Sequence, residues 1–234
     1  MAGLFDHVMI RVSDRDASEA FYDTALATLG IDSTYRTNAI SVWHDFQLTR
    51  TDAEHLVTRG LHVAFVAPTR AQVEDFRRAG PTAEDGDTDR AILRDPDGNT
   101  VEAVHRDTMP SRRGGRIDDL RLGVGDLAAS AAFYRTIAPA AGLRLRAESA
   151  DRATFAADGA TLTLAADVPR TANLHLAFPG DDDAVRRFHA DATAAGHPSN
   201  GEPGERARYH PGYYAAYVLD PDGNNIEVVS HNLG

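Results

Sequence analysis

The chain has 234 residues, no cysteine, and 35 acidic against 24 basic side chains, for a formal net charge of −11. The missing thiols exclude disulfides, zinc–cysteine sites, iron–sulfur clusters and thiol catalysis. The negative charge argues against nucleic acid, where affinity comes mainly from neutralising phosphates. No apolar run approaches the roughly 18 residues of a membrane span, and the N-terminus lacks the basic and apolar regions of a signal peptide, so a cytoplasmic protein is expected.

In chain order, alternating apolar residues predict a strand over 5–12. A helix follows, capped by Ser13 or Asp14, with Ala17, Ala20, Phe21, Leu26 and Leu29 on its apolar face and Gly30 as its stop. Short strands are expected near 33–37, 40–43 and 46–50. The pattern then restarts, with a strand at 60–66, a helix over 69–79, and strands near 90–94 and 100–105. Residues 108–115 read as a linker. Beyond it come a strand at 117–124, a helix capped by Asp126, and strands near 144–148, 152–156 and 160–165. A last round has a strand at 173–178, a helix over 181–195, and strands at 213–219 and 225–230.

The second half repeats the first. Ala20-Phe21-Tyr22 returns as Ala132-Phe133-Tyr134, and Leu61-His62-Val63-Ala64-Phe65 as Leu174-His175-Leu176-Ala177-Phe178. Asp95-Pro96-Asp97-Gly98-Asn99, followed by Glu102, returns as Asp220-Pro221-Asp222-Gly223-Asn224, followed by Glu227. The offset is 112 at Phe21/Phe133, 113 at His62/His175 and 125 at Glu102/Glu227, so copy two gains 12 residues after its His. An internal repeat of this length sets the domain count: a first domain over 1–108 and a second over 116–234. Each Asp-Pro-Asp-Gly is a turn sequence between two strands. A His on one strand and a Glu on a later one, kept in both copies, suit a metal pocket of nitrogen and oxygen donors.

Four βαβββ units carrying these His and Glu positions resemble the vicinal oxygen chelate superfamily of glyoxalases, bleomycin-resistance proteins and extradiol dioxygenases. The resemblance implies an α+β fold in which the four units form two half-open mixed-sheet barrels. It also implies a divalent metal held by inward-facing ligands: Fe2+ or Mn2+ first, with Ni2+, Co2+ or Zn2+ as alternatives.

Carried onto copy one, the family's ligand positions fall on His7, His62 and Glu102, with Gln47 lining the pocket. In copy two they fall on Asp119, His175 and Glu227, with Thr163 at the Gln47 position. Units are expected to pair within each copy. The exchanged arrangement, unit one with unit four and unit two with unit three, is the alternative. Trp43 is a further pocket candidate, on a barrel strand.

The stretch from His210 through Tyr217 and Asp220-Pro221-Asp222-Gly223 to Glu227 resembles the extradiol dioxygenase signature. It departs from that signature at Arg208 and Ala216. The resemblance implies acid–base roles for His210 and Tyr217, with Arg208 and Tyr213 in the substrate pocket and residues 206–217 as a lid. The function expected is a metal-dependent enzyme on a small oxygen-chelating substrate, of extradiol dioxygenase type. A glyoxalase-type lyase and a metal-free drug-binding protein are the alternatives. The partner is a small molecule, and the chain is a monomer or homodimer.

Overall fold

The computed structural model describes residues 3–81, 87–108 and 115–232. Unit one comprises β1 (His7–Val12), α1 (Arg15–Ala27), β2 (Tyr35–Arg36), β3 (Ile40–Trp43) and β4 (Phe46–Arg50). Unit two comprises β5 (Leu61–Val66), α2 (Arg70–Arg78), β6 (Arg90–Arg94) and β7 (Thr100–Val104). Unit three holds β8 (Ile117–Gly123), α3 (Leu127–Ile137), β9 (Arg144–Glu148), β10 (Arg152–Ala157) and β11 (Ala160–Ala165). Unit four holds β12 (His175–Pro179), α4 (Asp182–Ala194), β13 (Ser199–Glu205), β14 (Tyr213–Leu219) and β15 (Asn225–His231). All four helices are capped by a side-chain oxygen that accepts a backbone N–H of the first turn: Asp14, Thr69, Asp126 and Asp181.

The strands form two half-open mixed sheets, so the fold is α+β as the resemblance implied. The first runs β13-β14-β15-β12-β1-β4-β3-β2 and the second β6-β7-β5-β8-β11-β10-β9. Each sheet therefore joins units from both halves. Strand β1 pairs antiparallel with β12, bringing Met9 opposite His175, and β5 pairs antiparallel with β8. The expected pairing within each copy is corrected: units one and four share a sheet, and units two and three share the other.

The connections explain how the exchange is held. The segments leaving β4 and β11 cross from one sheet to the other side by side. Arg59 and Ala172 form a β-bridge, and Thr58 Oγ1 donates to Asn173 O. Thr171 Oγ1 donates to Gly60 O and accepts from Gly123 N. A Cβ at Gly60 would lie 2.5 Å from Arg170 O, and Gly60 has φ +70, so only glycine fits this crossing. The segment taken as the interdomain linker falls mostly on 109–114, outside the described residues.

One hydrophobic cluster runs through both halves, from Val8, Ile10, Phe46 and Phe65 to Phe155, Phe178 and Phe188. Alternation along β1 decides what remains for chemistry: Val8, Ile10 and Val12 enter this core, and His7, Met9 and Arg11 lie on the opposite, concave face. The same rule corrects one pocket candidate. On β3, Ser41 and Trp43 are buried while Ile40 and Val42 reach the cavity. Trp43 packs in the core against Tyr22 and Phe46, and its Nε1–H donates to Asp23. No helix among the described residues is long and apolar enough to cross a membrane.

Candidate metal centre and substrate pocket

The exchange brings His7, His175 and Glu227 together on the concave face of the first sheet. Glu227 and His7 both sit opposite Ala177 of β12, one strand to either side. His175 Nε2 is 2.7 Å from Glu227 Oε2, and His7 Nε2 is 3.8 Å from the same oxygen. One donor atom from each residue lies within 4.8 Å of the others, the only such set of three among the described residues. The expectation that His7, His62 and Glu102 converge is not met, because His7 lies on a different sheet from the other two. The set expected in copy two is split likewise, with Asp119 on the second sheet and His175 and Glu227 on the first.

The surroundings tune the protonation of each member of this triad differently. Burial opposes the charge of Glu227, but His175, His7 and Tyr213 together outweigh it and lower its pKa. Burial holds His175 below the usual histidine range, which leaves a neutral imidazole. His7 is raised, because Asp6 and Glu227 outweigh its burial. Tyr213 O–H donates to Glu227 Oε1 at 2.7 Å and fixes its rotation. The ring of Tyr217 lies edge-on to His175, 6.0 Å between centroids, and its hydroxyl is buried without a hydrogen-bond partner.

A polar chain runs outward from His7. Its Nδ1 meets Asp6 Oδ1 at 2.8 Å, Asp6 Oδ2 meets His231 Nε2 at 2.9 Å, and His231 Nδ1 meets His210 Nε2 at 2.9 Å. His210 Nδ1 lies 2.8 Å from the carbonyl of Pro211, which can only accept. His210 therefore donates there from Nδ1. Asp6 also only accepts, so His231 donates to it from Nε2, and this bond is the leading cause that raises the His231 pKa. His210 thus meets the triad through two intermediaries and not directly.

The cavity beside the triad has a volume of about 640 Å³. Met9, Ile40 and Val42 give it an apolar floor, and Gln47 and Thr49 come from the adjacent strand. Arg208 and Tyr209 are at the rim, where Arg208 Nη2 donates to Tyr209 Oη. Residues 206–212 form only the turn of this rim, because the insertion begins earlier, as the edge strand β13. Arg11 also lines the cavity. Its guanidinium makes no ion pair among the described residues, and burial lowers its pKa. Sequence reasoning missed Asp6, Arg11 and His231. Arg11 was visible as the third member of the His7, Met9, Arg11 alternation once that face was known to be concave.

The residues expected as ligands in the other half-sites meet on the second sheet. His62 Nε2 is 2.6 Å from Glu102 Oε2, but Arg90 Nε donates to Glu102 Oε1 at 2.6 Å. Asp119 Oδ1 accepts from Thr161 and Thr163. Arg121 lies between His62 and Asp119, its Nη1 3.4 Å from His62 Nδ1 and its Nη2 4.0 Å from Asp119 Oδ2. This donor set does not fit a cation: a guanidinium already neutralises the carboxylate, and another stands between the His and the Asp.

Residues 116–228 match the model of the Glyoxalase/Bleomycin resistance protein/Dioxygenase superfamily. No curated protein matches the chain. Among solved structures, glyoxalase I from Zea mays superposes with a TM-score of 0.69 at 20% identity, covering 98% of this chain and 93% of the other. A point mutant of that maize enzyme gives 0.72 at 20%, covering 98% and 94%. A presumed dioxygenase from Bacillus subtilis gives 0.66 at 13%, covering 100% and 87%. At these identities the likeness concerns the fold alone. The family match thus covers residues of the second half, and over its whole length the chain shares the fold of these solved structures, repeated in tandem across both halves.

Proposed function

We propose that this chain is a divalent-metal-dependent enzyme of extradiol dioxygenase type, acting on a small anionic substrate that chelates through two neighbouring oxygens. The observation that carries the reading is the convergence of His7, His175 and Glu227 within 4.8 Å. Two imidazoles and one carboxylate on one side of a cavity suit Fe2+ first, with Mn2+, Ni2+, Co2+ and Zn2+ also able to use the set. The ion, when bound, supplies a Lewis-acid centre with positions left open for substrate oxygens.

The chain's own residues supply the rest. Tyr217 packs edge-on to His175 with its hydroxyl buried near Glu227, and this reading assigns it the hydrogen bond to a chelated oxygen. The apolar floor of Met9, Ile40 and Val42 accepts a ring. Arg11 and Arg208, both lining the cavity, favour a carboxylate or similar anion on that ring. The path His7–Asp6–His231–His210 links the site to the rim by hydrogen bonds. A glyoxalase-type proton transfer would use a carboxylate base where Gln47 presents a neutral amide.

The test is metal analysis of protein purified without chelator, followed by oxygen uptake with catechols bearing or lacking a carboxylate. The expected result is one ion per chain and uptake that favours the carboxylated catechols. Absence of bound ion would favour the metal-free binding protein instead, and bound ion without uptake by the iron-loaded protein would remove the dioxygenase reading.

A further inference from the structure

The second sheet is built on the same plan as the first, so each residue of one concave face has a counterpart on the other. Asp118, Asp119 and Arg121 of β8 stand where β1 has Asp6, His7 and Met9. The registers agree: Met9 pairs Gln47 on β4, and Arg121 pairs Thr163 on β11. Glu102 and Arg106 stand where the first site has Glu227 and His231, four residues apart in both. Ile92 opposes Glu102 as Tyr217 opposes Glu227, which sets Arg90 at the place of Ala215.

The hydrogen bonds of the first site are therefore remade with guanidiniums. Tyr213 holds Glu227 Oε1 at 2.7 Å, and Arg90 holds Glu102 Oε1 at 2.6 Å. His231 meets Asp6 at 2.9 Å, and Arg106 meets Asp118 at 2.5 Å. Arg121, in place of an apolar Met, projects between His62 and Asp119. Three arginines replace Met, Ala and His, and only the third ligand position changes toward acid, from His7 to Asp119.

Arg121 is the least satisfied of the three. Its Nε is buried with no hydrogen-bond partner, and its two terminal nitrogens have only contacts of 3.4 and 4.0 Å. A buried, under-bonded donor group is costly unless something accepts from it. The side chain is 23% exposed and borders a cavity of about 290 Å³, together with Arg90, Arg106, Thr161 and Thr163. This is a small polar chamber into which Arg121 brings donors that lack close acceptors.

We propose that the second barrel is a metal-independent binding site for a small oxyanion, of carboxylate or phosphate class, centred on Arg121. The planar fork of Arg121 matches two oxygens of such a group. Arg90 and Arg106 are already bonded to Glu102 and Asp118, so the anion is held by the unused donors of Arg121 and not by an excess of positive charge. The site is distinct from the triad, whose residues lie on the other sheet.

The experiment is isothermal titration calorimetry of the full chain at low ionic strength, with inorganic phosphate and with acetate as separate probes. It uses the parent protein before and after chelator treatment, Arg121→Met, Arg121→Lys, and Arg11→Met as the control for the first cavity. The expected result is saturable one-to-one binding of at least one probe, unchanged by chelator and by Arg11→Met. Binding should weaken at least about tenfold in Arg121→Met and less in Arg121→Lys, which keeps the charge but not the fork. Whichever probe binds identifies the class. No saturable binding of either probe, retention of full affinity in Arg121→Met, or loss of binding on chelator treatment would each overturn the proposal.

Discussion

His7 and Glu227, near opposite ends of the chain, lie 3.8 Å apart across the concave face of one sheet. Antiparallel pairing of β1 with β12, and parallel pairing of β12 with β15, makes that meeting unavoidable. The candidate metal centre thus belongs to neither half alone. Each half supplies part of it, and each half also supplies part of the guanidinium chamber on the other sheet.

Metal content should follow this partition. His175→Ala and Glu227→Ala should lose the ion, because each removes one donor from a set of three. Glu102→Ala and His62→Ala should retain the parent stoichiometry of one ion per chain, since Arg90 and Arg121 occupy that region. Mass-spectrometric metal analysis of the four variants decides it. Loss of metal in the Glu102 variant alone would place the centre on the second sheet.

The Tyr213 hydroxyl acts on the ion only through Glu227 Oε1. Tyr213→Phe keeps the ring packed and removes the hydrogen bond that holds Glu227 Oε1. Groups that orient a metal ligand typically contribute 10- to 100-fold in affinity, so a loss of about tenfold is expected, with the fold intact. Competition against a chromophoric chelator measures it.

The exchange also predicts how the halves behave when separated. Residues 116–234 alone would expose the edges of β8 and β12, which in the full chain pair with β5 and β1. An unpaired apolar edge recruits another chain. The fragment should sediment as a dimer or be unfolded, and a folded monomer would contradict the importance of the cross-half pairing.

Much of this architecture was legible in the sequence because it rests on local physics. Alternation marked the strands, side-chain oxygens marked the helix starts, and the repeat gave four similar units. The pairing was not legible, since each unit offers the same kind of first strand to any partner. Which His meets which Glu depends on that choice, so the ligand types were readable while their grouping was not. Trp43 misled for a related reason: alternation says that neighbours face opposite ways but not which way is inward. Arg90, Arg106 and Arg121 were invisible as a group until β6, β7 and β8 were placed on one sheet.

The repeated Asp-Pro-Asp-Gly-Asn turns are predicted to be structural. Asn224 is 1% exposed, and its side-chain amide donates to Asp220 Oδ2 and Thr171 O while its oxygen accepts from Leu174 N. Asn99 does the same through Asp95, Thr58 and Leu61. Each Asn ties its turn to the strand that carries the repeated His. Alanine at either position leaves buried partners unpaired and should cost about 2–4 kcal/mol. Urea unfolding measures this, and a cost below about 1 kcal/mol would show that water replaces the amide without penalty.

Glu102 should make the protein sensitive to acid. Burial works against its charge, but hydrogen bonds from His62 and Arg90 outweigh burial and bring its pKa down to about 2 from the ordinary 4.5. The folded state therefore binds its proton less readily than the unfolded chain. The stabilisation is fully present above pH 4.5 and is lost as pH falls from 4.5 toward 2. With the side chain only 4% exposed, solvent screening is small, and the shift corresponds to about 3 kcal/mol. Glu102→Gln removes the charge at every pH. It should be less stable than the parent by about that amount at pH 7, and the gap should close progressively between pH 4.5 and 2. Urea unfolding of both proteins at pH 7, 5, 4 and 3 reads the gap directly. A difference that stays constant down to pH 3 would mean that the carboxylate is not held by these two partners.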